Sequence, residues 1–157
     1  MAVRVGLGFD VHAFSDDPDR PLVLGGVHVE SGPGLAGHSD ADVVAHAIAD
    51  ALLGAAALGD IGDRFPDTDP NWAGARSLDL LARVVDDVAA SGWRPGNVDC
   101  TVVLEEPRLA SYRRAMEERL GAVVGAPVSV KATTAEGLGA IGRGEGVACW
   151  AVALVEG

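Results

Sequence analysis

The last segment of the chain, residues 147–155, is the feature that most restricts the fold. Every residue in it is apolar. A strand presents alternate side chains to opposite faces, so a strand of this composition needs cover on both faces. The segment is too short to cross a bilayer. We therefore predict a strand in a sheet that has helices on one face and a subunit interface on the other.

The first segment, residues 3–14, alternates as a half-buried strand does. One face carries the apolar residues and the other carries glycines and polar residues: Val3, Val5, Leu7, Phe9 and Val11 against Arg4, Gly6, Gly8, Asp10 and His12. Further strands are predicted at 22–29, where Gly25 and Gly26 break the strand, and at 98–104 and 128–134, and helices at 41–58, 76–90 and 109–120. Residues 59–72 and 137–146 are expected to be loops, with Ser39 or Asp40 capping the first helix and Gly121 ending the last.

The order of these elements predicts an α+β fold, a mixed sheet covered on one face by helices. The 157 residues suit a single domain, residues 1–157. Only 4% of the residues are aromatic, so alanine, valine, leucine and glycine must fill the core. Cys100 and Cys149 form no C-x-x-C pair, and although their spacing does not exclude a disulfide, we predict buried free thiols.

The charge balance excludes two classes of partner. The chain has 12 basic residues, of which Lys131 is the single lysine, against 23 acidic residues, so its net charge is −11. Nucleic acids and anionic membranes are bound through clustered lysine and arginine, so we expect neither as a partner. No charged and then apolar leader precedes the first strand, and we expect a cytoplasmic, bacterial protein.

Three possible metal ligands lie on two elements, a strand and the helix that follows it. Asp10 and His12 are two positions apart on a strand and therefore project to the same side, and His46 lies on the following helix. One carboxylate and two imidazoles, with a fourth position open, form a zinc set of the catalytic kind. The alternative is an ordinary polar strand face.

Three other polar segments could bind an anion or a polyol. Residues 37–40 precede a helix, whose backbone N–H groups favour an anion. Residues 60–69 form an acidic loop whose carboxylates can accept hydrogen bonds from hydroxyls. Residues 131–136 end a strand with two threonines and Glu136, a hard oxygen ligand suited to Mg²⁺. The alternatives are a plain helix cap, a solvated loop and an ordinary strand end.

Residues 137–142 match the pattern G-x-G-x-x-G. The dinucleotide-binding fingerprint needs a helix directly afterwards and an acidic residue about 20 positions further on. Here a glycine-rich loop and a final strand follow. We therefore reject a Rossmann interpretation.

Six stretches resemble the 2-C-methyl-D-erythritol 2,4-cyclodiphosphate synthases, a family of the non-mevalonate isoprenoid pathway. They are GFDVHAF (8–14), LGGV (24–27), AGHSDADVVAHAIADALLGAAALGDIGDRFPDTD (36–69), GNVDCTV (96–102), VKATTAEGLGAIGRGEG (130–146) and AVAL (151–154). They span nearly the whole chain. The resemblance implies a phosphorus–oxygen lyase that converts 4-diphosphocytidyl-2-C-methyl-D-erythritol 2-phosphate to the cyclic diphosphate and releases CMP.

The resemblance also implies site residues. Zn²⁺ is held by Asp10, His12 and His46, and a second ion, Mg²⁺ or Mn²⁺, is contacted by Glu136. His38 and Thr134 stabilise the transition state. The methylerythritol phosphate end of the substrate contacts Asp10, Val11, His12, His38, Ser39, Asp60, Ile61, Gly62, Phe65, Pro66, Asp67, Thr68, Asp69 and Arg143. The cytidine diphosphate end contacts Leu104, Glu105, Glu106, Pro107, Arg108, Leu109, Ala110, Ala132, Thr133 and Thr134.

The implied assembly is a homotrimer whose sheets pack around a threefold axis, with each active site between two subunits. In some members a cavity on that axis binds isoprenoid diphosphates, and Phe9 and Arg143 match positions there. Trp150 stands where the family often has a glutamate that anchors this arginine, and Arg108 stands where it often has lysine.

Two other functions fit the same residues. A metal-dependent phosphoesterase could use the open metal position to activate water and would release an acyclic product. A non-catalytic trimeric binder of nucleotides or isoprenoid diphosphates would bind without turnover.

Overall fold

A mixed sheet organises the protein, whose computed structural model describes residues 1–157. In chain order the elements are β1 (Val3–Ala13), β2 (Leu22–Leu24), β3 (Val27–Val29), α1 (Val43–Ala55), α2 (Ile61–Arg64), a 3₁₀ turn (Pro70–Trp72), α3 (Ser77–Ala90), β4 (Arg94–Val103), α4 (Arg113–Val124), β5 (Val128–Thr133), α5 (Gly139–Gly142) and β6 (Gly146–Glu156). The four long strands are ordered β1-β6-β4-β5, and β2 and β3 form a separate hairpin. Strand β6 is antiparallel to both of its neighbours, and β4 and β5 are parallel.

The helices cover one face of this sheet. Helix α1 packs on β1 and β6, and α4 packs on β5. Ten of the 13 residues of α1 are buried, which makes it the centre of the core. The core is built from alanine, valine and leucine, with both cysteines buried in it as free thiols. The predicted α+β class, with a mixed sheet and helices, is confirmed. None of the helices combines the length and the apolar character that crossing a membrane requires.

In strand β1, the face with the glycines packs against the helices, whereas its composition suggests that the apolar face would do so. The alternation is as predicted, but Gly6 and Gly8 pack against α1 and the apolar residues are exposed. Val5 and Leu7 are each 68% exposed in the single chain. The reason is steric, because the strand can approach the helix this closely only where glycines leave out the side chain.

Helix α1 begins later than predicted, and Asp42 caps it rather than Ser39 or Asp40. Ala41 has φ of 58°, a left-handed conformation that a helix cannot include. The buried Asp42 carboxylate accepts hydrogen bonds from Val44 N and Ala45 N, each at 3.1 Å. It also accepts from the turn between β2 and β3, at residues 25–26, and so ties that hairpin to the helix.

Other boundaries differ for similar local reasons. Helix α4 runs through Gly121 and ends at Val124, because Gly125 adopts the left-handed conformation that terminates helices. The two predicted loops also contain short helical turns. Residues 59–72 contain α2 and the 3₁₀ turn, and residues 137–146 contain α5.

Candidate metal centre and flanking cavities

Three metal-type ligands converge between β1 and α1. His12 Nε2 and His46 Nδ1 each lie 3.0 Å from the same oxygen, Oδ2 of Asp10. One ligand atom from each residue lies within 4.8 Å of the other two. The cluster predicted from the D-x-H pattern and the helix histidine is therefore present as a geometric unit.

Close packing of the strand on the helix brings these residues together. A Cβ on Gly6 would lie 2.0 Å from the carbonyl oxygen of Ala51, and one on Gly8 would lie 1.9 Å from that of Ala47. Neither position admits a side chain. Because the backbones approach this closely, the next residues on the same face of the strand reach His46 on the helix.

The orientation of His12 is set by the backbone. Its Nδ1 lies 2.7 Å from the carbonyl oxygen of Ala36. A carbonyl oxygen only accepts, so Nδ1 carries the hydrogen and Nε2 is left facing Asp10. Metal-binding histidines are commonly oriented in this way, through a hydrogen bond on the nitrogen that does not bind the metal.

The charges within the cluster favour a cation. Burial alone would raise the pKa of Asp10, but hydrogen bonds with His12 and His46 outweigh it and lower that pKa to about 2. The hydrogen bond to Asp10 raises the pKa of His12, and burial opposes this. Asp10 is thus an anion at neutral pH. One anionic oxygen and two imidazole nitrogens form a donor set that fits Zn²⁺ and other divalent transition metals.

A cavity of about 410 Å³ opens beside the cluster. The predicted site residues that line it are His12, His38, Ser39, His46, Ile61, Gly62, Phe65, Pro66 and Asp67. Gly37, from the predicted anion-binding segment 37–40, also lines it, and Trp72 and Leu80, which were not predicted, complete the lining. Segments 37–39 and 61–67, which the sequence only suggests are binding loops, therefore face one space with the metal-type ligands.

Two predicted residues, Asp60 and Asp69, support this cavity without lining it. The carboxylates of Asp60 and Asp69 cap the two helical turns of the loop, each accepting a backbone N–H at 2.9 Å. His38 Nε2 donates to the carbonyl oxygen of Asp69 at 2.9 Å. Thr68 is not in the lining, and the side chain of Val11 lies on the opposite face of β1 from the ligands.

A second cavity, of about 200 Å³, gathers the predicted nucleotide segment. Its lining is Leu104, Glu105, Pro107, Arg108, Leu109, Ala110, Arg113, Ala132, Thr133 and Thr134. Of the predicted set only Glu106 is missing, and Arg113 is new. Glu105 does not project freely, since its carboxylate accepts the N–H of Ala135 at 2.7 Å and so holds the loop after β5.

Comparison with known proteins agrees with this geometry. The profile of the YgbB family matches residues 3–156. The chain is 60% identical, over 98% of both chains, to the 2-C-methyl-D-erythritol 2,4-cyclodiphosphate synthase of Symbiobacterium thermophilum. The chain belongs to the YgbB family. The resemblance stated from the sequence motifs is confirmed.

Solved structures of similar proteins share the fold of this YgbB chain. A 2C-methyl-D-erythritol-2,4-cyclodiphosphate synthase in a CDP-bound form superposes with a TM-score of 0.87 at 36% identity, over 98% of this chain and all of that one. The bifunctional IspDF of Campylobacter jejuni superposes with a TM-score of 0.92 at 41% identity, over 98% of this chain and 42% of that chain.

Within one YgbB chain the predicted site is divided. The two cavities share no lining residue, and neither includes Glu136 or Arg143. Glu136 has φ of 54°, and its N–H donates to the hydroxyl of Thr134 at 3.2 Å. Arg143 pairs with Glu145 at 2.6 Å. The metal-type cluster and the nucleotide segment are therefore two separate parts in the single chain.

Besides Arg113 in the second cavity, sequence reasoning missed two residues of the cavity beside the metal-type cluster in this YgbB chain. Trp72 packs edge-on against Phe65, with ring centroids 5.0 Å apart, and Leu80 reaches the same cavity from α3. The available signal for Trp72 was a tryptophan directly after an acidic loop. Nothing local marks Leu80, since it belongs to the ordinary apolar stripe of a helix.

Proposed function

We propose that this chain converts 4-diphosphocytidyl-2-C-methyl-D-erythritol 2-phosphate to 2-C-methyl-D-erythritol 2,4-cyclodiphosphate and CMP, in the non-mevalonate isoprenoid pathway. The observation that carries the proposal is the Asp10, His12 and His46 cluster, which opens on a cavity lined by the predicted substrate segments. The chain that carries this cluster is 60% identical to a protein named 2-C-methyl-D-erythritol 2,4-cyclodiphosphate synthase. The bacterial origin of such relatives supports a bacterial enzyme, which we place in the cytoplasm.

The substrate brings its own nucleophile and leaving group. An oxygen of the 2-phosphate forms a bond to the β-phosphorus, the bond from that phosphorus to the CMP oxygen breaks, and CMP leaves as an anion. A phosphate dianion needs no strong general base. The protein must instead fold the substrate back on itself and hold two anionic groups together.

Asp10, His12 and His46 would hold Zn²⁺, and Glu136 would contact Mg²⁺ or Mn²⁺. The donor set at the first site fits zinc with an open position. When bound, divalent cations polarise phosphoryl oxygens and neutralise developing charge. This accounts for an anionic substrate in a chain of net charge −11, because cations rather than a basic surface supply the positive charge.

The remaining site residues bind and orient the substrate. His38 and Thr134 stabilise charge on the reacting phosphates. Ser39 and residues 60–62 and 65–69 hold the methylerythritol phosphate, through N–H groups and through carboxylates that accept from its hydroxyls. Residues 104–110 and 132–134 hold the cytidine diphosphate, and a CDP-bound structure of a similar synthase supports a ligand of that class.

We also propose a homotrimer with active sites between subunits. The apolar face of β1 and β6 supports it, since Leu7, Phe9, Trp150 and Val152 are between 45% and 68% exposed in the single chain. Contiguous exposed apolar faces are typical of protein–protein contacts, which supports an interface between subunits here. Sedimentation should give three times the chain mass of 16.0 kDa.

The reaction can be followed by ³¹P NMR with the proposed substrate, Zn²⁺ and Mg²⁺. We expect the signals of a cyclic diphosphate and CMP. His46→Ala should reduce turnover by at least about 100-fold because it removes a ligand. His28→Ala is the matched control, since His28 is exposed on β3 away from the cavities. An acyclic product would favour a phosphoesterase, and binding without turnover would favour a non-catalytic binder.

A further inference from the structure

A partly buried chain of polar groups runs behind His46, on the side away from Asp10. The Nε2 of His46 lies 2.8 Å from the hydroxyl of Ser77, the first residue of α3. That hydroxyl in turn contacts Oδ1 of Asp40, and the backbone N–H of Ser77 donates to Oδ2 of Asp40 at 3.0 Å. Ser77 is 1% exposed.

The direction of each hydrogen bond follows from counting hydrogens. A hydroxyl has one hydrogen, and an ionised carboxylate can only accept, so the Ser77 hydroxyl donates to Asp40. Its oxygen is then left as an acceptor for His46. His46 therefore carries its hydrogen on Nε2 and is free to offer Nδ1, which lies 3.0 Å from Asp10, to a cation.

Asp40 is itself fixed in place. Its backbone N–H donates to the carbonyl oxygen of Ala75 at 3.1 Å, and Oδ1 accepts the N–H of Asp42 at 3.2 Å. These hydrogen bonds, here called the relay, thus join Asp40 in the segment before α1, Ser77 at the start of α3 and His46 in the first turn of α1. Ser39 is a weaker partner for His46, because its hydroxyl is 3.4 Å from Nε2 and also accepts the N–H of Ala41.

We propose that Ser77 and Asp40 are positioning residues that act through His46. They hold the imidazole with Nε2 protonated and Nδ1 facing Asp10 and His12, and they thereby set the affinity of the cluster for a divalent metal. The proposal rests on the metal site of the proposed function. Partners of this kind typically contribute 10- to 100-fold in metal affinity.

The test measures Zn²⁺ affinity by competition with a chelator, without substrate. Ser77→Ala should weaken binding by about 10- to 100-fold, and Asp40→Asn should weaken it in the same direction. Ser77→Thr keeps the hydroxyl and should restore affinity to within about threefold of the wild type. Ser111→Ala, an exposed serine remote from the relay, is the matched control and should bind as the wild type does.

NMR provides a signature that a purely structural role would not move. In the Zn²⁺-loaded wild type, the Nε2–H of His46 should appear as a hydrogen-bonded proton that exchanges slowly with water, and Ser77→Ala should abolish that protection. An unprotected Nε2–H in the wild type would overturn the proposal even if Ser77→Ala failed to fold.

Wild-type affinity in a folded Ser77→Ala variant would likewise overturn it. A separate measurement tests the metal site on which it rests. If His46→Ala binds Zn²⁺ as tightly as the wild type, the proposed metal site fails. If His46→Ala binds Zn²⁺ weakly while the Ser77 and Asp40 variants bind it as the wild type does, the metal site stands and the relay fails.

Discussion

At the scale of single residues, two glycines make the metal-type cluster geometrically feasible. Gly6 and Gly8 lie on the face of β1 that touches α1, and the carbonyl oxygens of Ala47 and Ala51 occupy the space that a Cβ would need. The helix residues at this contact are alanines, whose small side chains also allow the two backbones to approach closely. A strand with larger residues on this face would stand further from α1 and separate Asp10 from His46.

Gly8→Ala should therefore destabilise the fold and weaken the cluster. The added methyl group would lie 1.9 Å from a backbone oxygen, and overpacking of this kind costs about 1–3 kcal/mol in the free energy of unfolding. Urea unfolding at one protein concentration measures it. Gly54→Ala is the control, because a Cβ there has no neighbour within 4 Å. Gly54 is exposed in the last turn of α1, where alanine should stabilise by at most about 1 kcal/mol. Equal midpoints for the two variants would contradict the close-packing explanation.

At the scale of elements, the loop between α1 and α3 is held against α3 by side chains that do not line the cavity beside the metal-type cluster. Arg64 Nη1 lies 2.5 Å from Asp87 Oδ2, and the guanidinium of Arg83 lies 5.0 Å from the ring centroid of Trp72. These residues line another cavity, of about 690 Å³, that shares Phe65 and Trp72 with the cavity beside the metal-type cluster. Contacts on α3 thus position Phe65 and Trp72, the aromatic wall of the proposed substrate site.

Asp87→Asn should loosen this loop and raise KM more than it lowers kcat. Both side chains are partly exposed, so the ion pair is worth about 0.5–1 kcal/mol, or about a two- to fivefold change in KM. Steady-state kinetics measures the two constants. Asp86→Asn removes the same charge from an exposed neighbour without an ion pair and should leave KM unchanged. A fall in kcat alone would contradict a role in substrate positioning.

At the scale of the whole molecule, the single chain shows parts that lie apart and a surface that needs a partner. The metal-type cluster and the nucleotide segment face different cavities. The sheet face away from the helices exposes Val3, Val5, Leu7 and Phe9 on β1. An assembly that buries this face and brings the two cavities of neighbouring copies together accounts for both observations.

Mixed assemblies test this arrangement. When His46→Ala and Thr134→Val chains are co-expressed in equal amounts, sites shared between subunits should recover about a quarter of wild-type activity. Sites within one subunit would recover none, because every chain then carries a defect. As a control, wild type co-expressed with the double variant should give about a quarter of full activity if sites are shared and about half if they are not.

Sequence reasoning reached most of the site because its signals are local. Asp10 and His12 share a strand face by simple alternation, and the blocks at 36–69 and 130–146 identified the family that the 60%-identical relative confirms. The resemblance to the family implied the nucleotide segment, and nearly all of its residues line one cavity, while their role in binding stays a prediction. The helix boundaries failed where one backbone conformation decided them, as at Ala41 and Gly125.

The sequence by itself determined the fold class, the family and which residues share each face of each element. Only the tertiary structure decided which face of β1 the helix covers, and that Ser77 meets His46 from 31 positions away. It also decided that Arg64 pairs with Asp87 and that the two cavities are separate. The physical reason is that periodicity fixes the direction of side chains along one element. The fit between distant elements, here glycines against alanines, fixes what those side chains touch.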